Sequence, residues 1–286
     1  MKFGIMFANV LTFVQPEGAV ALARTAEENG FESLWTVEHV VVPAGYESQY
    51  PYSRDGRMPG GEDVPIPDPL IWLAYVAAAT RSIRLATGVL ILPQRNPVVL
   101  AKETATLDRL SGGRLTLGVG VGWLREEFDA IGVPFDERGP RADEYVEALR
   151  VLWQEPEPTF SGRFVDFQGA KSYPKPAQGT IPVVVGGHTK VSARRAGRLG
   201  DGYFPGRARD EELVPLFDEV RRAAKDAGRD PDAIELTAGG VMDVDGVKRY
   251  ADLGVDRVVI PPLGFDAETL RQQLGTFADN VISKAG

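Results

Sequence analysis

Short apolar runs alternate with amphipathic stretches along almost the whole chain. Continuous apolar runs bounded by turn residues are typical of buried strands, whereas apolar spacings of three and four residues are typical of helices. The pattern predicts strands at residues 2–8, 33–37, 83–92, 114–120, 181–185, 202–204, 233–238 and 255–260. It predicts intervening helices at residues 17–29, 69–81, 98–110, 188–199, 210–228, 245–253 and 267–282.

A helix follows each predicted strand, and parallel strands need such a connection. We therefore predict an α/β fold of the (β/α)8 (TIM) barrel type, formed by one domain over residues 1–286. A doubly wound sheet also alternates strands and helices. However, the first turn, residues 7–10, lacks the glycines that such a sheet usually carries there.

Two insertions interrupt the alternation. A long loop at residues 40–67 follows the second strand and is rich in tyrosine, arginine, glycine and proline. A loop of this length is typical of an active-site lid, with a dimer contact or a disordered insertion as the alternative. Before the fifth strand, helices at 124–131 and 138–153 precede a small hairpin at 159–167 that alternates about a Ser-Gly turn.

Composition excludes several function classes. The chain has 286 residues, no cysteine, two histidines and a formal net charge of -8. Disulfides, thiolate metal sites and a cysteine nucleophile are therefore excluded, and two histidines do not provide a zinc ligand set. The negative charge disfavours nucleic-acid and anionic-membrane partners. Because we find neither a signal peptide nor an apolar run long enough to span a bilayer, we expect a cytoplasmic protein.

The most informative stretch is Gly-Val-Gly-Val-Gly-Trp at residues 118–123, at the end of the fourth strand. Alternate glycines allow a flat ligand to approach the backbone, although a tightly packed strand end requires the same glycines. A dinucleotide fingerprint would have its third glycine at position 123, where this chain has Trp123. The stretch therefore favours a planar ligand lying across strand ends, with Trp123 as an aromatic wall.

Other strand ends also carry candidate residues, and barrel active sites lie at these carboxyl ends. Strand two ends in Glu38 and His39, which can orient a ligand or move a proton; a histidine that only caps a backbone group is the alternative. Strand three contains Gly88, which marks either a bulge or simple packing. Strand five ends in two glycines before a helix, which gives either a phosphate seat or a tight turn.

Few residues offer reactivity of their own. We find no nucleophile elbow, Walker loop or kinase motif. The acidic residues Glu126, Glu127 and Asp129 are expected to form the solvated face of their short helix. A chain so poor in nucleophiles and metal ligands is more typical of an enzyme whose organic cofactor carries the reactivity.

Together these segments resemble the luciferase-like monooxygenase superfamily, and within it the oxidoreductases that depend on the deazaflavin coenzyme F420. The resemblance covers nearly the whole chain and is clearest at residues 30–39, 85–90, 106–114, 118–128 and 195–202. It implies a (β/α)8 barrel, usually a homodimer, with the deazaflavin ring in the barrel mouth. It also implies a cis peptide bond between Gly88 and Val89 behind the ring. The residues and the resemblance together predict a cofactor site at Glu38, His39, Gly88, Val89, Gly122, Trp123, Gly186, Gly187 and His188.

Two residues depart from the family pattern. Glu38 replaces the commoner aspartate and adds a methylene group. Trp123 stands where sugar-phosphate-oxidising relatives carry a catalytic glutamate, so that activity is not predicted. His39 then remains as the candidate catalytic residue that gives or takes a proton.

We therefore expect an oxidoreductase that transfers a hydride between F420 and a small organic substrate. An FMN-dependent monooxygenase and a non-catalytic flavin-binding barrel are the alternatives, because no residue excludes FMN. The lactyl-glutamate tail of F420 needs a cationic exit. Candidates for that exit are Lys190, Arg194, Arg195, Arg207 and Arg209.

Overall fold

The computed structural model describes residues 1–206 and 210–285, so Arg207 and Arg209 lie outside the described residues. Its strands are β1 (Lys2–Met6), β2 (Ser33–Thr36), β3 (Arg84–Thr87), β4 (Leu90–Ile91), β5 (Leu115–Gly120), β6 (Phe160–Ser161), β7 (Asp166–Phe167), β8 (Val183–Gly186), β9 (Gly202–Phe204), β10 (Glu235–Gly239) and β11 (Arg257–Ile260). Its helices are α1 (Pro16–Glu28), α2 (Pro69–Ala77), α3 (Pro97–Ser111), α4 (Arg125–Ala130), α5 (Arg138–Gln154), α6 (Lys190–Leu199), α7 (Asp210–Asp226), α8 (Val244–Asp252) and α9 (Ala267–Asn280).

Within the described residues, the strands form a closed parallel barrel in the order β3-β2-β1-β11-β10-β9-β8-β5. Pairing between β3 and β5 closes it, with Leu85 opposite Leu115. The short strand β4 continues beside β5, and β6 and β7 form a separate antiparallel hairpin. The predicted (β/α)8 barrel is therefore confirmed, together with the loop after the second strand and the hairpin before the fifth barrel strand.

Two helices begin at similar caps. The Asp68 side chain accepts the N–H groups of Leu70 and Ile71, and Pro69 occupies the first helical position of α2. Asn96 caps α3 in the same way, again before a proline. Proline suits this position because its missing N–H would have no partner inside the helix. These local signals place the helices that flank β3.

The first and third strands are shorter than predicted, and both end at the mouth of the barrel. The single strand expected at 83–92 is divided into β3 and β4 at the Gly88–Val89 peptide bond, which is cis. Strand β1 ends at Met6 rather than at residue 8, because Phe7 has a φ of 58°. This left-handed conformation is incompatible with a strand and is uncommon for a bulky residue.

Side chains fill the interior of the barrel around Trp35. The Phe204 ring packs edge-on against Trp35 with a centroid distance of 5.6 Å. Trp35 Nε1 donates a hydrogen bond to Ser33 Oγ at 2.8 Å, and a Cβ atom at Gly4 would approach this nitrogen to 2.8 Å. The interior is therefore a packed core rather than a channel, which restricts a ligand to either end of the barrel.

The amino ends of the strands surround a charged cavity of about 360 Å³. Its buried Arg257 pairs with Glu32 at 2.9 Å and with Glu235 at 3.0 Å, so these charges satisfy one another. In barrels this end contributes to stability, whereas active sites lie at the carboxyl ends. The functional site is therefore expected at the carboxyl ends.

Among the described helices, none is both long and apolar enough to cross a bilayer.

Candidate active site

Val89 lies at the mouth of the barrel, half-buried, between two strands that carry glycine. A Cβ atom at Gly120 would lie 2.5 Å from Val89 Cγ2, and one at Gly186 would lie 2.5 Å from Val89 Cγ1. A Cβ atom at Gly118 would lie 1.8 Å from the Thr87 carbonyl oxygen. These glycines therefore make room for the chain's own bulge, which is the packing alternative of the sequence analysis. They position Val89, and only indirectly the ligand predicted there.

Gly122 and Trp123 follow β5 at the same face. Gly122 has a φ of 79°, and a Cβ atom there would come within 2.7 Å of the Phe128 ring and 2.8 Å of Ile91. Only glycine fits both the conformation and the space. The half-buried Trp123 ring lies edge-on to the His39 ring, with centroids 5.6 Å apart. The structure thus brings Trp123 and His39 together at the mouth.

His39 and the buried Glu127 form a polar pair beside this ring. His39 Nδ1 lies 3.0 Å from Glu127 Oε2. The other carboxylate oxygen, Oε1, accepts the N–H of Val40 at 2.6 Å and that of Val41 at 3.4 Å. The Glu127 side chain is 0% exposed and the His39 side chain 9%. Because the carboxylate is fixed by the backbone, it holds the imidazole in one orientation.

The prediction that the acidic residues of α4 form a solvated face is therefore wrong for two of the three. Glu127 is buried against His39, and Glu126 Oε1 accepts the N–H groups of Glu47 at 2.7 Å and Ser48 at 3.0 Å. Burial opposes ionisation of Glu126, but hydrogen bonds from Ser48 and from backbone N–H groups lower its pKa to about 2. Only Asp129 is exposed as expected. Helix α4 thus connects β5 to the loop that follows β2.

Glu38 has different surroundings from its neighbour His39. Its carboxylate accepts the N–H of Ile91 and forms an ion pair with Arg95, whose Nε lies 3.1 Å from Glu38 Oε1. Arg95 also bonds Asp68 at 2.7 Å. Desolvation lowers the pKa of Arg95, but the two carboxylates raise it by more, so the guanidinium stays charged. Glu38 therefore joins the end of β4 to the start of α2, and a direct contact between Glu38 and a cofactor ring stays a prediction.

The long loop, which we call the mouth loop (residues 40–67), is fixed at both ends by Asn9. The Asn9 amide accepts from Val37 N–H at 2.8 Å and donates to the carbonyl oxygens of Val37 at 2.9 Å and Pro67 at 3.2 Å. Within the loop, Tyr46 is buried and its hydroxyl accepts the Met58 N–H at 2.9 Å. The mouth loop is thus hydrogen-bonded to Asn9 and within itself, and its role as a lid or as a dimer contact stays a prediction.

Aromatic rings of the mouth loop connect two neighbouring barrel strands. The Tyr50 ring lies 5.2 Å from Trp123 and 5.4 Å from Tyr52, and the Tyr52 ring lies 5.0 Å from His188. All three contacts are edge-on, the arrangement that aromatic quadrupoles favour. Burial, with a smaller contribution from Tyr50, raises the pKa of Tyr52 to about 12, so its hydroxyl keeps its proton. The rings form a wall that extends from the end of β5 to the end of β8.

Several backbone groups of the turn after β8 already have hydrogen-bond partners, so the turn is not simply an open phosphate-binding site. Gly187 has a φ of 121°, and its carbonyl oxygen accepts the hydroxyls of Ser192 at 2.8 Å and Tyr203 at 2.7 Å. Thr189 and Ser192 form a capping box that satisfies the N–H groups of both residues. The tight-turn alternative therefore explains why the chain has glycine at position 187. An anion bound at this turn would use backbone N–H groups other than those of Thr189 and Ser192.

Two of the proposed tail-exit cations already have partners. Arg194 pairs with Glu219, and the buried Arg195 pairs with Asp143. Lys190 is exposed at the first turn of α6. Among the described residues, the cationic exit thus rests mainly on Lys190.

Sequence reasoning missed Glu127, Asn9 and Phe7 as parts of the mouth. A signal existed for each, because each follows a barrel strand on the face where active sites lie. The exposed Phe7 ring and its left-handed backbone mark the end of β1. In the described part of the chain, no group of three or more His, Asp or Glu side chains is placed to hold a metal ion. The mouth therefore has an apolar floor at Val89, the aromatic wall described above, and the His39 imidazole held by Glu127.

The family can now be stated. Residues 1–245 match the family described as luciferase-like monooxygenase, so the chain belongs to this family of enzymes. An uncharacterized protein of Mycobacterium tuberculosis is 36% identical over 274 residues, which cover 93% of this chain and 94% of that protein. The F420-dependent glucose-6-phosphate dehydrogenase of Kineococcus radiotolerans is 34% identical over 219 residues, which cover 74% of this chain and 59% of that protein.

Solved structures share the architecture along the whole chain. Monooxygenase RslO1 from Streptomyces bottropensis has a TM-score of 0.79 and 26% identity, with 100% of both chains covered. The coenzyme F420-dependent tetrahydromethanopterin reductase from Methanopyrus kandleri also has a TM-score of 0.79, at 19% identity, with 100% of this chain and 99% of that chain covered. The second similarity concerns the fold alone. Both structures agree with the predicted barrel.

Proposed function

We propose that this enzyme binds coenzyme F420 at the barrel mouth and transfers a hydride between it and a small organic substrate. The observation that carries the proposal is the arrangement at the carboxyl ends of the strands, where Val89 lies between Gly120 and Gly186 and the Trp123 ring lies edge-on to His39. An apolar side chain between two glycines suits the approach of a flat ring. The similarity to the F420-dependent glucose-6-phosphate dehydrogenase supports this cofactor. When bound, the coenzyme would supply a hydride from C5 of its deazaflavin ring in its reduced form and accept one there in its oxidised form.

The residues of the chain then have separate tasks. Val89 supports the ring from behind, Trp123 and the mouth loop exclude water, and His39 exchanges a proton with the substrate. A histidine suits that last task because its imidazole can both give and take a proton. Gly187 and His188 would contact the cofactor's phosphate or side arm, as the resemblance implies. Glu38 would act through Ile91 and Arg95, by holding the chain beyond Val89.

The substrate class follows from the wall. Trp123, Tyr50 and Tyr52 present aromatic surface, and Trp123 occupies the position that the resemblance assigns to a catalytic glutamate in sugar-phosphate-oxidising relatives. A sugar phosphate therefore fits this mouth poorly. A hydride needs an electrophilic carbon as its acceptor, so we expect an apolar or aromatic carbonyl compound or conjugated alkene.

A second candidate is an FMN-dependent monooxygenase of the same fold. It is favoured by the similarity to monooxygenase RslO1, which extends over both chains. The same floor and wall accept either ring system, so the two proposals differ mainly at the tail. F420 carries a lactyl-glutamate tail. Among the described candidates for binding it, Lys190 is exposed, whereas Arg194 and Arg195 already form ion pairs.

Parallel titrations with F420 and with FMN test the cofactor. The chain contains four tryptophans, and Trp123 lies at the mouth, so intrinsic fluorescence reports binding there. We expect micromolar or tighter F420 binding and much weaker FMN binding. The Trp123→Phe variant should bind F420 with a smaller fluorescence change, which locates the signal. Tight FMN binding with weak F420 binding would favour oxygen chemistry, and binding of either without substrate-dependent redox change would favour a flavin-binding barrel.

We also propose that the protein forms a homodimer through α2 and α3. Three apolar side chains on these adjacent helices are largely exposed: Ile71 at 73%, Val99 at 54% and Tyr75 at 51%. Ile71 and Tyr75 lie one helical turn apart and therefore share a face. Sedimentation should give a dimer, and Ile71→Glu should shift it toward monomer. Monomeric wild-type protein would contradict this surface assignment.

A further inference from the structure

The buried carboxylate of Glu127 constrains more than the orientation of His39. Its Oε2 lies 3.0 Å from His39 Nδ1, and a carboxylate can only accept a hydrogen bond. Its Oε1 is occupied by the N–H groups of Val40 and Val41, so both oxygens have assigned donors. A neutral imidazole has one protonated nitrogen. The nitrogen that faces the carboxylate, Nδ1, must therefore carry that proton.

We propose that Glu127 is a positioning residue that fixes the tautomer of His39. With the proton on Nδ1, the other ring nitrogen, Nε2, is the atom that exchanges a proton with the substrate. In the proposed reduction the imidazolium would give its Nε2 proton to the substrate when the hydride reaches carbon, which leaves the neutral ring protonated on Nδ1. This inference rests on the proposed function, because it assigns the proton exchange of that reaction to one atom. Glu127 touches neither cofactor nor substrate in this assignment and acts through His39.

Because of these two backbone donors, the Glu127→Gln substitution should change which nitrogen of His39 carries the proton. The N–H groups of Val40 and Val41 can only donate, so they require the amide oxygen of the glutamine on their side. The amide NH2 group then faces His39 Nδ1 and donates to it. Nδ1 must become the acceptor, and the proton moves to Nε2. The side-chain volume hardly changes, so packing around α4 is retained.

Nitrogen NMR of histidine-labelled protein measures this directly. The chain has only two histidines, and a His188→Asn variant assigns the signals of the exposed one. For the neutral ring of His39 we expect protonated Nδ1 in the wild-type protein and protonated Nε2 in Glu127→Gln. Asp129→Asn is the matched control, since it makes the same chemical change at an exposed position of the same helix. It should leave the wild-type tautomer in place.

Kinetics test the consequence. With reduced F420 and a substrate found by screening apolar carbonyl compounds, Glu127→Gln should lower kcat by roughly 100-fold, the scale of lost acid–base assistance. F420 affinity should change by less than about 3-fold, because the variant alters a proton and not the floor or wall. An equal loss of F420 affinity would instead make Glu127 a packing residue.

Two results would overturn the inference. One is protonated Nε2 in the wild-type protein, which needs no variant and remains measurable if Glu127→Gln fails to fold. The other is a folded Glu127→Gln variant that keeps the proton on Nδ1. Failure of the proposed function is a separate outcome. In that case F420 does not bind the wild-type protein, while the tautomer still follows residue 127.

Discussion

Val89 occupies the space that the missing side chain of Gly120 leaves open, since a Cβ atom at Gly120 would lie 2.5 Å from Val89 Cγ2. Among the described residues, apart from the chain neighbours of Gly120, this valine side chain comes closest to that point. The two positions are therefore coupled across β4 and β5. The glycines at the end of β5 are required because side chains there would collide with the neighbouring bulge. They do not by themselves indicate space for a ligand.

This coupling predicts a compensating pair of substitutions. Gly120→Ala should lower the free energy of unfolding by about 1–3 kcal/mol, the range for an overpacked site, and should weaken F420 binding by displacing Val89. Adding Val89→Ala removes Cγ2, so the double variant should lose much less stability than the sum of the single variants. Urea unfolding of all four proteins measures the coupling. Strict additivity would contradict the shared space.

His39 is the predicted catalytic residue. His39→Ala should lower turnover by on the order of 100-fold, because a positioned proton donor or acceptor is lost. F420 binding, followed by tryptophan fluorescence, should change far less than kcat. His39→Ala with unchanged turnover would remove the imidazole from the mechanism.

The Tyr52 ring closes the wall against His188. Tyr52→Ala should raise the Kd for F420 by roughly 2- to 12-fold, which corresponds to the loss of one aromatic contact. Tyr52→Phe keeps the ring and serves as the control, with a Kd close to the wild-type value. If both variants weaken binding equally, the hydroxyl and not the ring is responsible.

Glu27 predicts a pH dependence of stability. Its Oε1 accepts the N–H groups of Arg81, Ser82 and Ile83 at 2.9, 2.6 and 2.9 Å. Burial raises its pKa, but these hydrogen bonds lower it by more, to about 2. Since the folded pKa lies below the ordinary value of 4.5, the stabilisation is complete above about pH 4.5. It is lost as the pH falls toward 2.

The matching experiment compares Glu27→Gln with Glu28→Gln, an exposed neighbour on α1. At pH 7 Glu27→Gln should be less stable by about 1 kcal/mol, a value reduced for the partial exposure of this carboxylate. The difference from the wild-type protein should shrink between pH 4.5 and pH 2. Urea unfolding at several pH values measures it. A difference that does not change with pH would show that the charge of Glu27 has no part in it.

Local sequence was sufficient for the barrel and for the face that carries the site. Apolar periodicity is imposed by burial, and caps such as Asp68 act within the next few residues, so both can be predicted without tertiary contacts. The bulge at Gly88–Val89 was also predicted, through the family resemblance, and the structure has it. Those signals placed His39, Val89, Trp123 and Gly186 at the carboxyl ends of neighbouring strands.

Only the tertiary structure decided which side chains meet there. Glu127 lies 88 positions from His39, and its acidic neighbours gave it the pattern of a solvated helix face. The ion pair of Glu38 with Arg95 and the fit of Val89 between two glycines likewise join distant segments. Sequence periodicity records whether a position is buried, but a hydrogen-bond partner is determined by how the closed barrel brings strand ends together. The sequence therefore determined where the candidate site is predicted, and the folded chain determined how its groups are held.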